Sequence, residues 1–116
     1  MTETTTELSA EDKKLVTLAR AARARTGAAE GAAVRDLDGR TYAAATVDLP
    51  SLQVSAVGVC VAMAVASGSQ GLEAVVLLTE GTLGEADLAV VRDFAGAGVT
   101  VHVGDPRGRV AVTTAS

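Results

Sequence analysis

Two stretches of the chain repeat apolar residues at helical spacing, and each predicts an amphipathic helix. The first begins after Ser9, where Asp12 three residues later completes a capping-box pattern, and it stops at Gly27. The second covers residues 85–95 and is followed by Gly96. Both helices are expected to turn one apolar face toward a core.

Shorter apolar runs predict strands. The pair Asp38-Gly39 is a strong reverse-turn signal, so the segments on either side of it are expected to form a β-hairpin. An uninterrupted aliphatic run after Gly71 is typical of an inner strand covered on both faces. The predicted strands span residues 32–35, 41–47, 72–79, 99–103 and 109–113.

A long segment without charge, residues 49–71, lies in the middle of the chain. Pro50 and Ser51 can open a helix, and Gly68 can end it, so we predict a helix over residues 51–68 that is buried on every side. A membrane span would need about 20 predominantly apolar residues, and this segment is interrupted by Ser, Gln and Gly. A buried helix is therefore the better interpretation, and no membrane contact is expected.

The element order α-β-β-α-β-α-β-β joins the third and fourth strands through a helix, which favours a parallel pair. The predicted fold class is α/β, a three-layer α-β-α sandwich with a mixed sheet of about five strands. Residues 1–8 are polar and aperiodic and are expected to be a disordered lead-in. Residues 9–116 are expected to form a single domain.

The composition of the chain argues against several kinds of partner and site. The net charge of −4 argues against nucleic acid as a partner, because binding to nucleic acid depends on clustered Lys and Arg residues. The single cysteine excludes an intrachain disulfide. The first residues show neither a basic leader nor an apolar core, so a cytoplasmic location is the expectation.

Few residues could carry metal or nucleophilic chemistry. Cys60 lies in the apolar segment and is expected to be an inert core residue rather than a ligand or nucleophile. His102 is expected to be a surface or partner-bonded histidine rather than a catalytic base, because no Ser or Cys is recognisably paired with it. Glu80, Glu85 and Asp87 could attract a hard cation, but acid-rich loops are usually only solvated.

Several framework segments resemble those of the small cytidine deaminases. The run LVTLARAARAR at residues 15–25 resembles the opening of those proteins, and the match extends over roughly residues 13–103. The resemblance implies the element order given above. The further matching segments are residues 31–35, residues 38–40 with Tyr42, residues 64–68 and residues 72–78.

The family's zinc and catalytic residues do not carry over. Zinc deaminases use a His or Cys two residues before a glutamate at one helix start, and a Pro-Cys-x-x-Cys at another. The resemblance places Ser55 at the first ligand and Val57 at the glutamate, while Gly84 and Asp87 replace the two cysteines. With one Cys and one His in the whole chain, three zinc ligands of the usual kind are lacking, so no metal or other cofactor is expected.

The family's ribose-binding Asn-x-Glu falls on Thr46-Val47-Asp48. Thr46 and Asp48 keep some hydrogen-bonding capacity, so they are candidate ligand-binding residues for a nucleoside.

These observations favour a catalytically inactive deaminase-like protein, an oligomeric binding or assembly module with residual nucleoside binding. The sequence does not decide whether the protein is an enzyme, but it favours a protein without catalytic activity. The alternatives are an active zinc-dependent hydrolase with rearranged ligands and a non-catalytic partner subunit of an active deaminase. The predicted helix that opens at Ser51 and ends at Gly68 is expected to join subunits of a homo-oligomer, a tetramer or a dimer, as the resemblance implies.

Overall fold

The computed structural model describes the backbone of residues 2–3 and all of residues 8–116. Thr2–Glu3 form a short strand beside the last strand of the sheet. The rest of the predicted lead-in, apart from Leu8, lies outside the described residues.

Within the described residues the order of helices and strands follows the prediction, with additional short strands. The helices are α1 (Ala10–Thr26), α2 (Ala56–Ala66) and α3 (Glu85–Ala95). The strands are β1 (Thr2–Glu3), β2 (Gly31–Asp36), β3 (Thr41–Ala45), β4 (Val47–Leu49), β5 (Leu52–Val54), β6 (Leu72–Leu78), β7 (Thr100–Gly104) and β8 (Val110–Ala115).

The main sheet has the order β1-β8-β7-β6-β2-β3 and is mixed. The strands β6 and β7 are parallel, as predicted from the helix between them, and the other neighbours are antiparallel. Helix α1 covers one face of the sheet, while α2 and α3 cover the other. The chain is therefore an α/β sandwich of three layers, as the sequence predicted.

The first helix has the predicted ends. The Ser9 side chain accepts a hydrogen bond from the Asp12 amide at 3.1 Å, and Gly27 has a left-handed conformation with φ 67°. Gly31 then lets β2 pass close beneath this helix, because a Cβ at residue 31 would lie 2.2 Å from the Ala19 carbonyl oxygen. A side chain there would force α1 away from the sheet.

The predicted start of the second helix is wrong. Pro50 and Ser51 occupy the turn of a small hairpin between β4 and β5, and α2 begins only after Ser55. Ser55 is the cap, because its Oγ accepts the Gly58 amide hydrogen bond at 3.0 Å. Residues 52–54, expected to be helical, are a strand.

The prediction that this helix is buried on every side is also wrong for the single chain. One face packs into the core and includes Val57, Cys60 and Ala64. The opposite face is open, with Ala62 and Ala66 exposed and Val65 52% exposed. Over the described residues, the helices lack the length and apolarity that crossing a bilayer requires.

Candidate functional site

The starts of α2 and α3 are joined by one hydrogen bond between two of the motif positions. The Ser55 hydroxyl donates to Asp87 Oδ1 at 2.6 Å and at the same time accepts the Gly58 amide. A distance near 2.6 Å is typical of an O–H group donating to a carboxylate. A hydroxyl has one donor and two acceptor positions, so Ser55 can make both bonds without conflict.

Apolar side chains occupy neighbouring positions at both helix starts. Val57 is 1% exposed and belongs to the core between α2 and the sheet, and Leu83 is half-buried against the same core. Gly84 caps α3 without a side-chain hydrogen bond. The four motif positions therefore lie at two adjacent helix starts, where one hydroxyl and one carboxylate are the only polar side-chain groups they supply.

The residues expected to bind a ribose line an open groove of about 500 Å³. Two hydrogen bonds to Glu30 hold Thr46 in place. The Thr46 Oγ1 accepts the Glu30 amide at 3.0 Å, and the Thr46 amide donates to the Glu30 carbonyl at 3.1 Å. Asp48 lies opposite Gln53 across the β4–β5 hairpin. The groove also reaches Ser55, so the structure brings both predicted binding positions next to the helix start.

Sequence reasoning missed Gln53 and Glu30 as members of this groove. The sequence predicts a helix at Gln53, whereas the observed β4–β5 hairpin places it opposite Asp48. The one available signal was the polar residue between Leu52 and Val54, which is the alternation of a short strand.

His102 is buried, with 5% of its surface exposed, and both of its ring nitrogens have hydrogen-bond partners within the chain. Its Nε2 lies 2.8 Å from Asp12 Oδ2 and its Nδ1 lies 2.9 Å from Thr113 Oγ1, which links α1 to the sheet. Arg35 holds the other oxygen of Asp12 at 3.0 Å. Burial opposes ionisation of Asp12, but the bonds from His102 and Arg35 outweigh it and lower the pKa of Asp12.

The three acidic residues that could attract a cation each bond to a different partner. Glu80 pairs with Arg23 at 3.9 Å, and Glu85 forms an ion pair with Arg92. Asp87 accepts the Ser55 hydroxyl. Within residues 8–116, no three His, Cys, Asp or Glu side chains come close enough to hold a metal ion.

Comparison with models of known protein families shows to which family the chain belongs. The model of the cytidine deaminase-like family matches residues 8–108. The chain belongs to that family. Comparison with curated proteins finds no match.

Solved cytidine deaminases share the fold of this cytidine deaminase-like chain. The enzyme from Burkholderia pseudomallei superposes with a TM-score of 0.77 at 22% identity, covering 92% of either chain. The enzyme from Mycobacterium leprae gives a TM-score of 0.73 at 18% identity over 92% of this chain and 94% of its own. The enzyme from Mycobacterium tuberculosis gives 0.68 at 20% identity, over 90% of this chain and 91% of its own. At these identities the likeness extends to the fold alone.

The residues of this cytidine deaminase-like chain do not fit the zinc ion that its family implies. A catalytic zinc needs three protein ligands with nitrogen, sulfur or carboxylate donors. Among the four motif positions Asp87 is the single donor of that kind, and its Oδ1 is already bonded to Ser55. Glu85, in the first turn of α3, is paired with Arg92. Cys60 is not a suitable zinc ligand. It is buried in the core, and this burial raises the pKa of its thiol to about 12.

Proposed function

We propose that this cytidine deaminase-like protein does not deaminate nucleosides and acts as an oligomeric binding or assembly module. The observation that carries the proposal is the Ser55–Asp87 hydrogen bond, together with the burial of Val57 two residues after Ser55. A valine cannot transfer a proton, and a serine hydroxyl bonded to a carboxylate is a poor substitute for a thiolate ligand. Water activation by zinc would therefore lack both its metal ligands and its proton carrier.

The purified protein is expected to carry no stoichiometric zinc after dialysis and to leave cytidine and deoxycytidine unchanged. Elemental analysis and loss of the cytosine absorbance band measure the two properties. A matched variant with Ser55→Cys, Gly84→Cys and Asp87→Cys supplies three thiolates at the motif positions and is expected to gain zinc. About one zinc per native chain, together with turnover, would contradict the proposal.

The outer surface of α2 supports the assembly role. This helix contains no charged residue, and the exposed Ala62, Val65 and Ala66 leave its open face apolar. Leu49 and Leu52 of the neighbouring hairpin are 55% and 52% exposed. Obligate interfaces are more hydrophobic than other surfaces, so we propose that a second copy of the chain covers this face in a dimer or tetramer.

The groove at Thr46 and Asp48 supports weak nucleoside binding. Asp48 can accept hydrogen bonds from ligand hydroxyls, whereas the Thr46 hydroxyl is already bonded to Glu30. Titration calorimetry with cytidine and uridine tests this, with Asp48→Ala expected to abolish the heat and Asp93→Ala on α3 as the control. Tight binding that survives Asp48→Ala would show that the ligand site lies elsewhere.

We also propose a cytoplasmic location. Cys60 is a free, buried thiol, and a chain with a reduced lone cysteine is compatible with a reducing compartment.

A further inference from the structure

A second cavity, of about 590 Å³, lies where β6 and β7 end. Thr79 follows β6, Asp105 follows β7, and the Thr79 amide donates to the Gly104 carbonyl at 2.9 Å. The carboxyl ends of parallel strands form the edge at which α/β sheets commonly bind ligands. This cavity occupies that place and shares no lining residue with the Thr46–Asp48 groove.

The cavity has apolar walls and a suitable size. Leu83 and Leu88 come from the start of α3, and Val103 and Val112 come from the sheet beneath. All four side chains are half-buried. Small-molecule sites typically measure about 300–1,000 Å³ and combine apolar walls with a few fixed polar groups.

Asp105 is the fixed polar group. Its Oδ1 accepts the amides of Arg107 at 2.9 Å and Arg109 at 3.1 Å, and these bonds, first that of Arg109, lower its pKa. Among the described residues no donor reaches its Oδ2. The turn thus holds a carboxylate in place with one oxygen free to accept a hydrogen bond from a ligand.

Charge restricts the ligand further. Asp105 is the single charged residue in the lining, so an anionic group placed against its Oδ2 would be repelled at short range. Arg107 and Arg109, on the same turn but outside the lining, interact favourably with this carboxylate and so weaken its attraction for a cation. We propose that this cavity binds a neutral, ring-sized apolar molecule that donates one N–H or O–H hydrogen bond to Asp105.

Four probes separate the parts of this proposal. Amide chemical shifts of the ¹⁵N-labelled protein are followed during titration with indole, 1-methylindole, benzoate and benzylamine. Indole is expected to shift Leu88, Val103 and Val112. It should bind about tenfold tighter than 1-methylindole, which cannot donate a hydrogen bond to the Asp105 carboxylate. Benzoate and benzylamine are expected to bind more weakly than indole.

Variants locate the site. Asp105→Asn keeps an oxygen for the two turn amides but replaces Oδ2, so indole affinity is expected to fall about tenfold to that of 1-methylindole. Asp93→Asn, on the exposed side of α3, is the matched control, and Val112→Trp is expected to fill the cavity and abolish binding. Equal affinities for the two indoles, shifts clustered elsewhere, or an unchanged Asp105→Asn variant would overturn the proposal. Excess cytidine should not displace indole, so failure here is distinguishable from failure of the groove.

Discussion

At the scale of single residues, Ser55 makes two hydrogen bonds that serve different parts of the fold. One hydroxyl caps α2 through the Gly58 amide and also bonds to Asp87, 32 positions away in the chain. The sequence identified both positions as departures from the family motif. It could not indicate that they touch, because this contact depends on how α2 packs against α3.

Replacing Val57 by Glu is expected to restore no turnover, because the metal that would supply an activated water has no ligand set. The side chain at this position is 1% exposed, so the new carboxylate would also be buried without a partner and should destabilise the fold by about 2–5 kcal/mol. Urea unfolding and a cytidine assay measure the two effects. Turnover in this single variant would show that the chain retains a hidden catalytic centre.

Cys60 is expected to be unreactive in the native protein. Burial raises the pKa of its thiol to about 12, and the thiolate is the form that reacts. A chromogenic disulfide reagent at pH 8 should modify less than one thiol per chain over hours and all of it after unfolding in urea. Rapid labelling of the folded chain would mean that α2 opens readily from β3.

At the scale of elements, the ends of α1 were predictable and the start of α2 was not. Ser9 and Gly27 act locally, through a cap and a left-handed turn, so neighbouring sequence is enough to place them. Pro50 and Ser51 suit both a helix start and a tight turn. The β4–β5 pairing decides between these two structures, and with it the position of Gln53 in the groove.

Two carboxylates, the half-buried Asp12 and the buried Asp36, connect elements and should make stability depend on pH. Asp12 joins α1 to His102, and Asp36 accepts hydrogen bonds from Ser69 at 2.5 Å and Tyr42 at 3.2 Å. The pKa of Asp36 is lowered chiefly by the Ser69 bond, against the effect of burial, and that of Asp12 is lowered as well.

A folded-state pKa below the unfolded value of about 4 means that the stabilisation is present above pH 4 and is lost as pH falls through the folded pKa. The urea midpoint is therefore expected to drop between pH 5 and pH 2.5. Asp36→Asn should reduce that dependence, whereas Asp93→Asn, on the exposed side of α3, should leave it unchanged. A wild-type midpoint that is flat over this range would contradict the assignment.

At the scale of the whole molecule, the fold class was predictable because the long apolar patterns agree with the connection rules. The aliphatic run of β6 and the helix that follows it require a parallel neighbour, and β7 fills that position. Burial of α2 was less predictable, because a segment apolar on every side gives no sign of which face meets its own sheet. In the single chain that face holds Val57, Cys60 and Ala64, and the other is left without cover.

The open face of α2 is the basis of the last prediction, that the protein is a homo-oligomer in solution. Ala62→Glu places a charge on the exposed side of α2, where the monomer tolerates it but an apolar interface would have to desolvate it, at a cost of about 2–5 kcal/mol. Ala64 is fully buried within the single chain, so Ala64→Glu is expected to disrupt folding itself. The two variants thus separate assembly from folding, and Ala21→Glu on the exposed side of α1 is the neutral control. Light scattering coupled to size-exclusion chromatography should give a folded monomer for Ala62→Glu and an oligomer for the wild type and for Ala21→Glu. A stable wild-type monomer of 11.6 kDa at micromolar concentration would exclude the proposed assembly.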